Sequence, residues 1–87
     1  MIEVEVQPAD SGWRASVRVD EGGVSTSHVV TVSAAELARY GGGDAAAVVR
    51  RSFEFLLQRE PASSILRRFA LSDIERYFPE FPSAIRG

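Results

Sequence analysis

The feature that most constrains this chain is the stretch from Asp44 to Phe81, where a helical pattern runs into a short segment crowded with aromatics, Ser72-Asp73-Ile74-Glu75-Arg76-Tyr77-Phe78-Pro79-Glu80-Phe81. On a wheel of about 100° per residue, Arg50, Arg51, Glu54 and Gln58 fall within one polar arc of roughly 100°. Val48, Val49, Phe53, Phe55, Leu56 and Leu57 fan over roughly 200° on the other side. A helix resting on a single small sheet needs an apolar stripe nearer to about 100°. This one therefore has to be covered from two directions, and the rest of the chain must supply the cover or leave a surface for a partner.

Strands come first. Ile2, Val4 and Val6 alternate with Glu3, Glu5 and Gln7, the period-2 pattern of a half-buried strand. After the turn signal Pro8-Ala9-Asp10-Ser11-Gly12, Trp13, Ala15, Val17 and Val19 alternate with Arg14, Ser16, Arg18 and Asp20. Past Asp20-Glu21-Gly22-Gly23, a third strand runs from Val24 to Val32, with Val24, Thr26, His28, Val30 and Val32 on one face. The three read as an antiparallel meander in which Glu3 or Glu5 pairs with Arg14 or Arg18 on the wet face.

Helices follow. Ser33-Ala34-Ala35-Glu36 is a capping-box pattern that starts a brief helix carrying Leu37 and Tyr40, and Gly41-Gly42-Gly43 ends it. Asp44 is placed to cap the main helix over Ala45 to Arg59, which Pro61 terminates. Ala62 to Phe69 reads as a short helix or turn with Ile65, Leu66 and Phe69 inward. Ser72 with Glu75 repeats the capping-box pattern ahead of Ile74, Tyr77 and Phe78, and Pro79 and Pro82 bound the end. The expected fold class is α+β: a three-stranded antiparallel meander, a short helix, one long amphipathic helix packed on the sheet, and short C-terminal helices. A single domain is expected over 1–87, divided into a meander over 1–32 and a helical part over 33–87.

Composition narrows the function classes. With 87 residues, 45% of them hydrophobic, and no cysteine, neither disulfides nor thiolate metal sites can brace the fold. Any shortfall of core favours a partner, and self-association is expected. The start Met1-Ile2-Glu3-Val4-Glu5 lacks the features of a secretion signal, and no apolar run reaches the roughly 18 residues of a membrane span. A cytoplasmic location with no membrane partner is the expectation. A net charge of −2 argues against a dedicated nucleic-acid binder. All ten basic residues are arginine, which base composition explains in a chain rich in Ala, Gly and Val.

Candidate sites are few. His28 is the lone histidine and has no cysteine or second histidine to join it at a metal, so no metal and no cofactor are expected. A Ser-His-Asp arrangement would have to assemble from distant positions, and nothing resembles a nucleophile elbow. A pocket under the sheet would have His28 and Trp13 as liners. Gly41-Gly42-Gly43 precedes a helix, but the Asp44 carboxylate would occupy the donors an anion needs. Arg14 and Arg18 on the sheet, and the pairs Arg50-Arg51 and Arg67-Arg68, are candidate nucleic-acid contacts, with Tyr40 or Tyr77 as stacking platforms. On a solvated surface the same arginines would pair instead, Arg50 with Glu54 and Arg67-Arg68 with Asp73 and Glu75. Packing back over the long helix accounts most simply for Tyr77, Phe78 and Phe81, and the tail can supply part of the second cover. The alternative makes Val48, Phe55, Tyr77, Phe78 and Phe81 a candidate protein interface, because aromatics near a terminus make good anchors.

The run Arg51-Ser52-Phe53-Glu54-Phe55-Leu56-Leu57-Gln58-Arg59-Glu60-Pro61, with Ser64-Ile65-Leu66-Arg67 and Ile74-Glu75-Arg76-Tyr77-Phe78-Pro79-Glu80, resembles a set of small bacterial proteins that share this helix and terminal segment. That resemblance spans the second half of the chain and implies no activity. Three strands followed by a helix also look like the start of small antitoxins of the HicB type, from which this chain departs by showing no fourth strand after the helix and no attached DNA-binding domain. The resulting expectation is a non-enzymatic interaction module, homodimeric or bound to another protein. The alternative is a nucleic-acid-associated or antitoxin-like regulator using the arginines.

Overall fold

A computed structural model describes residues 1–86 as an α+β fold. Strands β1 (Ile2–Ala9), β2 (Gly12–Glu21) and β3 (Val24–Ser33) form the expected antiparallel meander. Glu21 faces Val24 across a two-residue turn in which Gly22 and Gly23 have φ of 56° and 81°. Positive φ at both central residues is what a tight hairpin turn following the strand twist requires, and glycine supplies it without steric cost. Ala15, Val17, Val19, Val30 and Val32 point into the core, while Arg14, Ser16 and Arg18 stay wet. Glu3 lies opposite Arg18 as the charge pattern required, yet the Arg18 guanidinium reaches Asp20 instead, at 3.4 Å.

The sheet has a fourth strand that the sequence reading did not contain. β4 (Arg68–Ala70) pairs parallel with β3, matching Val30 with Phe69, and the order is β1-β2-β3-β4. The sheet is therefore mixed, and the segment read as a helix or turn over Ala62 to Phe69 is a 3-10 turn at Ala62–Ser64 followed by extended chain. β4 is three residues long with one apolar core residue, Phe69, so it carries no alternation to detect. It exists because β3 offers a free edge: Val29 donates to the Arg67 carbonyl at 2.7 Å and Leu71 to that of Thr31 at 3.0 Å.

α1 (Ala34–Arg39) begins in a complete capping box, with the Glu36 N–H donating to Ser33 Oγ at 3.0 Å and the Ser33 N–H to Glu36 Oε1 at 2.8 Å. α2 (Ala45–Leu57) is capped by Asp44, whose Oδ1 accepts from the Ala46 N–H at 3.0 Å, and it stops two residues before the expected Arg59. Arg50 does not pair with Glu54; it reaches across to the Ile2 carbonyl at 2.5 Å. The second capping box is absent. At the start of α3 (Asp73–Tyr77) the Ser72 side chain makes no cap bond and its N–H donates to Glu36 Oε2 at 2.8 Å. Glu75 turns to Arg39 and Tyr40 rather than to Arg67-Arg68, and Asp73 takes the Ala70 N–H and Arg76. Long-range partners outcompeted the local motif.

α2 is covered on two sides. Phe53 lies under the sheet, its ring 5.2 Å from that of His28 and 6.0 Å from that of Phe69. On another side Phe55 meets Phe81 of α4 (Phe81–Arg86) at 5.2 Å and Phe78 at 5.8 Å, and Phe81 meets Tyr40 at 4.9 Å. The Arg59 guanidinium lies 3.6 Å over the Phe55 ring and closes this cluster. The tail is thus the second wall of the core. Val48, Phe55 and Phe81, expected at a partner interface, are 0%, 7% and 0% exposed and belong to the chain's own interior.

Glu36 ties α1 to α3, since its second oxygen receives the Ser72 N–H. Burial pushes its carboxyl up, but the bonds from Ser33 and Ser72 outweigh that and hold it below the usual 4.5. A folded pKa below the unfolded one gives stability that is full above the unfolded value and is lost as pH falls through the folded one. Glu36→Gln converts one acceptor oxygen into a donor facing a backbone N–H. Urea denaturation at neutral pH should show a loss of about 1–2 kcal/mol, with a shallower decline on acidification below 4.5 than in the wild type. An unchanged midpoint would show that the bridge contributes nothing.

Candidate functional site

The segment after Pro61 decides what surface the molecule offers. Ile65 leaves the 3-10 turn in extended geometry and points inward, as does Phe69. Leu66 between them turns outward and is 52% exposed, contrary to its expected inward placement. His28 fixes this point: its Nδ1 lies 2.8 Å from the Leu66 carbonyl and its Nε2 2.9 Å from Thr26 Oγ1. A carbonyl only accepts, so Nδ1 carries a proton and donates it. The buried imidazole is a strut between β3 and the approach to β4, with both nitrogens engaged. Trp13 is half-buried.

α3 places Ile74 inward and Tyr77 outward, the latter 69% exposed. Leu66 and Tyr77 line the same apolar groove, of about 360 Å³, together with buried Leu56, Ile65, Phe69 and Ile74 and half-buried Phe78. Its polar lining is Glu60, Ser64 and Asp73. Among the described residues four large apolar side chains are strongly exposed: Met1, Val24 at a hairpin turn, and Leu66 and Tyr77 in this groove. Singly exposed apolar side chains are ordinary, whereas two lining one apolar groove are not. Of the interface candidates, Tyr77 and Phe78 meet here. Leu66 was missed because the segment was read with a helical period; a period of two would have turned it away from Ile65 and Phe69.

The arginines divide among surfaces. Arg18, Arg67 and Arg68 line a depression of about 580 Å³ along the sheet, but Glu3 and Glu5 line it too. Arg14 lies outside that lining, Arg50 binds the Ile2 carbonyl, and exposed Arg51 sits on α2 in the other layer. The six do not converge on one basic surface. Tyr40, the other stacking candidate, is buried; its burial, together with its bond to Glu75, pushes its hydroxyl up to about 12.

Among the described residues no group of three His, Cys, Asp or Glu side chains is placed to hold a metal ion. No helix is long and apolar enough to cross a membrane. No family model matches this chain, and comparison with curated proteins and with solved structures gives no match. The geometry of the groove therefore carries the functional reading.

Proposed function

We propose that this protein is a non-enzymatic protein-interaction module that pairs with a second copy of itself through the groove face. The observation that carries the reading is that exposed Leu66 and Tyr77 line one apolar groove. In a two-fold pair each copy lends its own Leu66 and Tyr77 to the other's groove, so one patch serves as both anchor and pocket. Phe78, half-buried between Phe55 and the groove, joins the interior to that patch.

Sedimentation velocity tests this. The wild type should shift toward dimer at tens of micromolar, where a free energy of about 7 kcal/mol already suffices. Leu66→Glu with Tyr77→Glu should stay monomeric at the same concentration with unchanged circular dichroism. A wild type that remains monomeric at hundreds of micromolar overturns the reading.

Nucleic-acid association is the second reading, favoured by Arg18, Arg67 and Arg68 around the sheet depression. It requires retention of RNA or duplex DNA at about 50 mM salt that weakens steeply as salt rises. A mobility shift lost in Arg67→Ala with Arg68→Ala would support it, and no retention at low salt would end it.

A further inference from the structure

The two edges of the sheet are unequal. β4 is three residues long, begins at Arg68 and follows Arg67, a short and charged edge of the kind that resists added strands. β1 is eight residues long, and its pairing with β2 runs unbroken from Ile2 opposite Val19 to Ala9 opposite Gly12. Which of its backbone groups face outward follows from the residue just before it: Met1 donates to the Asp20 carbonyl at 2.6 Å and accepts from the Asp20 N–H at 2.9 Å. Bonded and non-bonded pairs alternate along an antiparallel ladder, so Glu3, Glu5 and Gln7 bond to β2 while Ile2, Val4 and Val6 turn their N–H and C=O groups to the free side. Pro8 shares that phase, so its missing N–H costs the ladder nothing. Arg50 takes the Ile2 carbonyl, and among the described residues no other group bonds to this edge.

We infer that the β1 edge is a docking site for an extended segment of another protein that alternates apolar and basic side chains. Backbone groups of Val4 and Val6 would bond to the incoming strand. Side chains supply the selectivity. On the core side, Ile2, Val4 and Val6 are only half-buried, whereas Ala15, Val17 and Val19 one strand inward are closed off. Apolar side chains of the guest would complete that cover. On the outer side, the guest lies beside Glu3 and Glu5, which have no ion-pair partner among the described residues because Arg18 is held by Asp20. Basic side chains at alternate guest positions would meet both.

A second copy's own β1 is a poor guest. Antiparallel pairing centred on Val4 sets Glu3 against Glu5 of the other copy twice, and like charges directly opposite oppose pairing. Centring on Val6 instead sets Val4 against Pro8, which has no N–H to give. The edge is thus independent of the groove that serves self-association.

The test uses the full chain and a synthetic peptide of about nine residues alternating valine and arginine, with a valine/glutamate peptide and a proline-interrupted valine/arginine peptide as controls. Addition of the first peptide should protect the Val4 and Val6 amides from hydrogen exchange and shift their resonances, with neither control doing so. Glu3→Lys with Glu5→Lys should weaken binding at least about tenfold. Val4→Pro, which removes an outward N–H and leaves the β2 ladder intact, should abolish it. The inference is overturned if the peptide binds neither amide, if it shifts Leu66 and Tyr77 instead, if the acidic peptide binds equally well, or if Val4→Pro abolishes self-association, which would make the second copy the occupant.

Discussion

Phe81→Ala is expected to remove about 3–5 kcal/mol of folding stability, enough to consume much of the total that a domain of this size holds. Phe81 is fully buried, and its ring touches both Tyr40 and Phe55. Deleting it opens a cavity between α4, α2 and the end of α1, and the Arg59 lid over Phe55 then covers a void. A melting temperature lower by about 15 °C or more should result. The neighbouring aromatic gives the contrast: Tyr77→Ala should change stability by no more than about 0.5 kcal/mol, because that ring is 69% exposed. Urea denaturation of both variants at low protein concentration checks the pair. Equal small effects would place Phe81 outside the core.

Gly12→Ala should be nearly as damaging, for a different reason. A Cβ at Gly12 would lie 2.0 Å from the Val32 carbonyl oxygen and 2.8 Å from the Ser33 Cα, both backbone atoms. No rotamer relieves that overlap, so β2 and β3 must separate where Ser33 begins the α1 capping box. The expected loss is about 3 kcal/mol, with a further signature in the fluorescence of adjacent Trp13. Gly22→Ala serves as the control: it meets nothing within 4 Å and suffers only from its positive φ. Its cost should be about 1 kcal/mol. A loss at Gly12 no larger than that at Gly22 would mean that β3 yields to a Cβ at position 12 and its close approach does not dictate glycine there.

Much of this architecture was readable from spacing alone. Ile2 to Val6 and Trp13 to Val19 alternate strictly because one sheet face is buried and the other wet, and the Ser33–Glu36 box formed because its partners are three residues apart. The misplaced features all depend on contacts distant in sequence. β4 exists through bonds to β3 and holds one core residue; Ser72 and Glu75 abandoned a local box for Glu36, Arg39 and Tyr40; Arg50 left Glu54 for the Ile2 carbonyl. The width of the α2 apolar arc showed that two covers were needed and that the tail could supply part of the second, but not which tail residues would close it. Val48, Phe55 and Phe81 therefore looked available to a partner although all three are buried within the chain, and Leu66 looked buried although it is 52% exposed in the extended chain before β4.

Native-state hydrogen exchange tests most directly whether the tail is a wall of the core. The Phe81 amide, bonded to the Phe78 carbonyl at 2.9 Å, and the Ala84 amide, bonded to that of Glu80 at 3.1 Å, should exchange through the same opening as Val48 in α2, bonded to Asp44 at 3.1 Å. Their opening free energies should converge with that of the central strand β3 as urea rises. Tail amides that exchange freely while α2 and β3 stay protected would contradict this, leaving α2 covered on one side only.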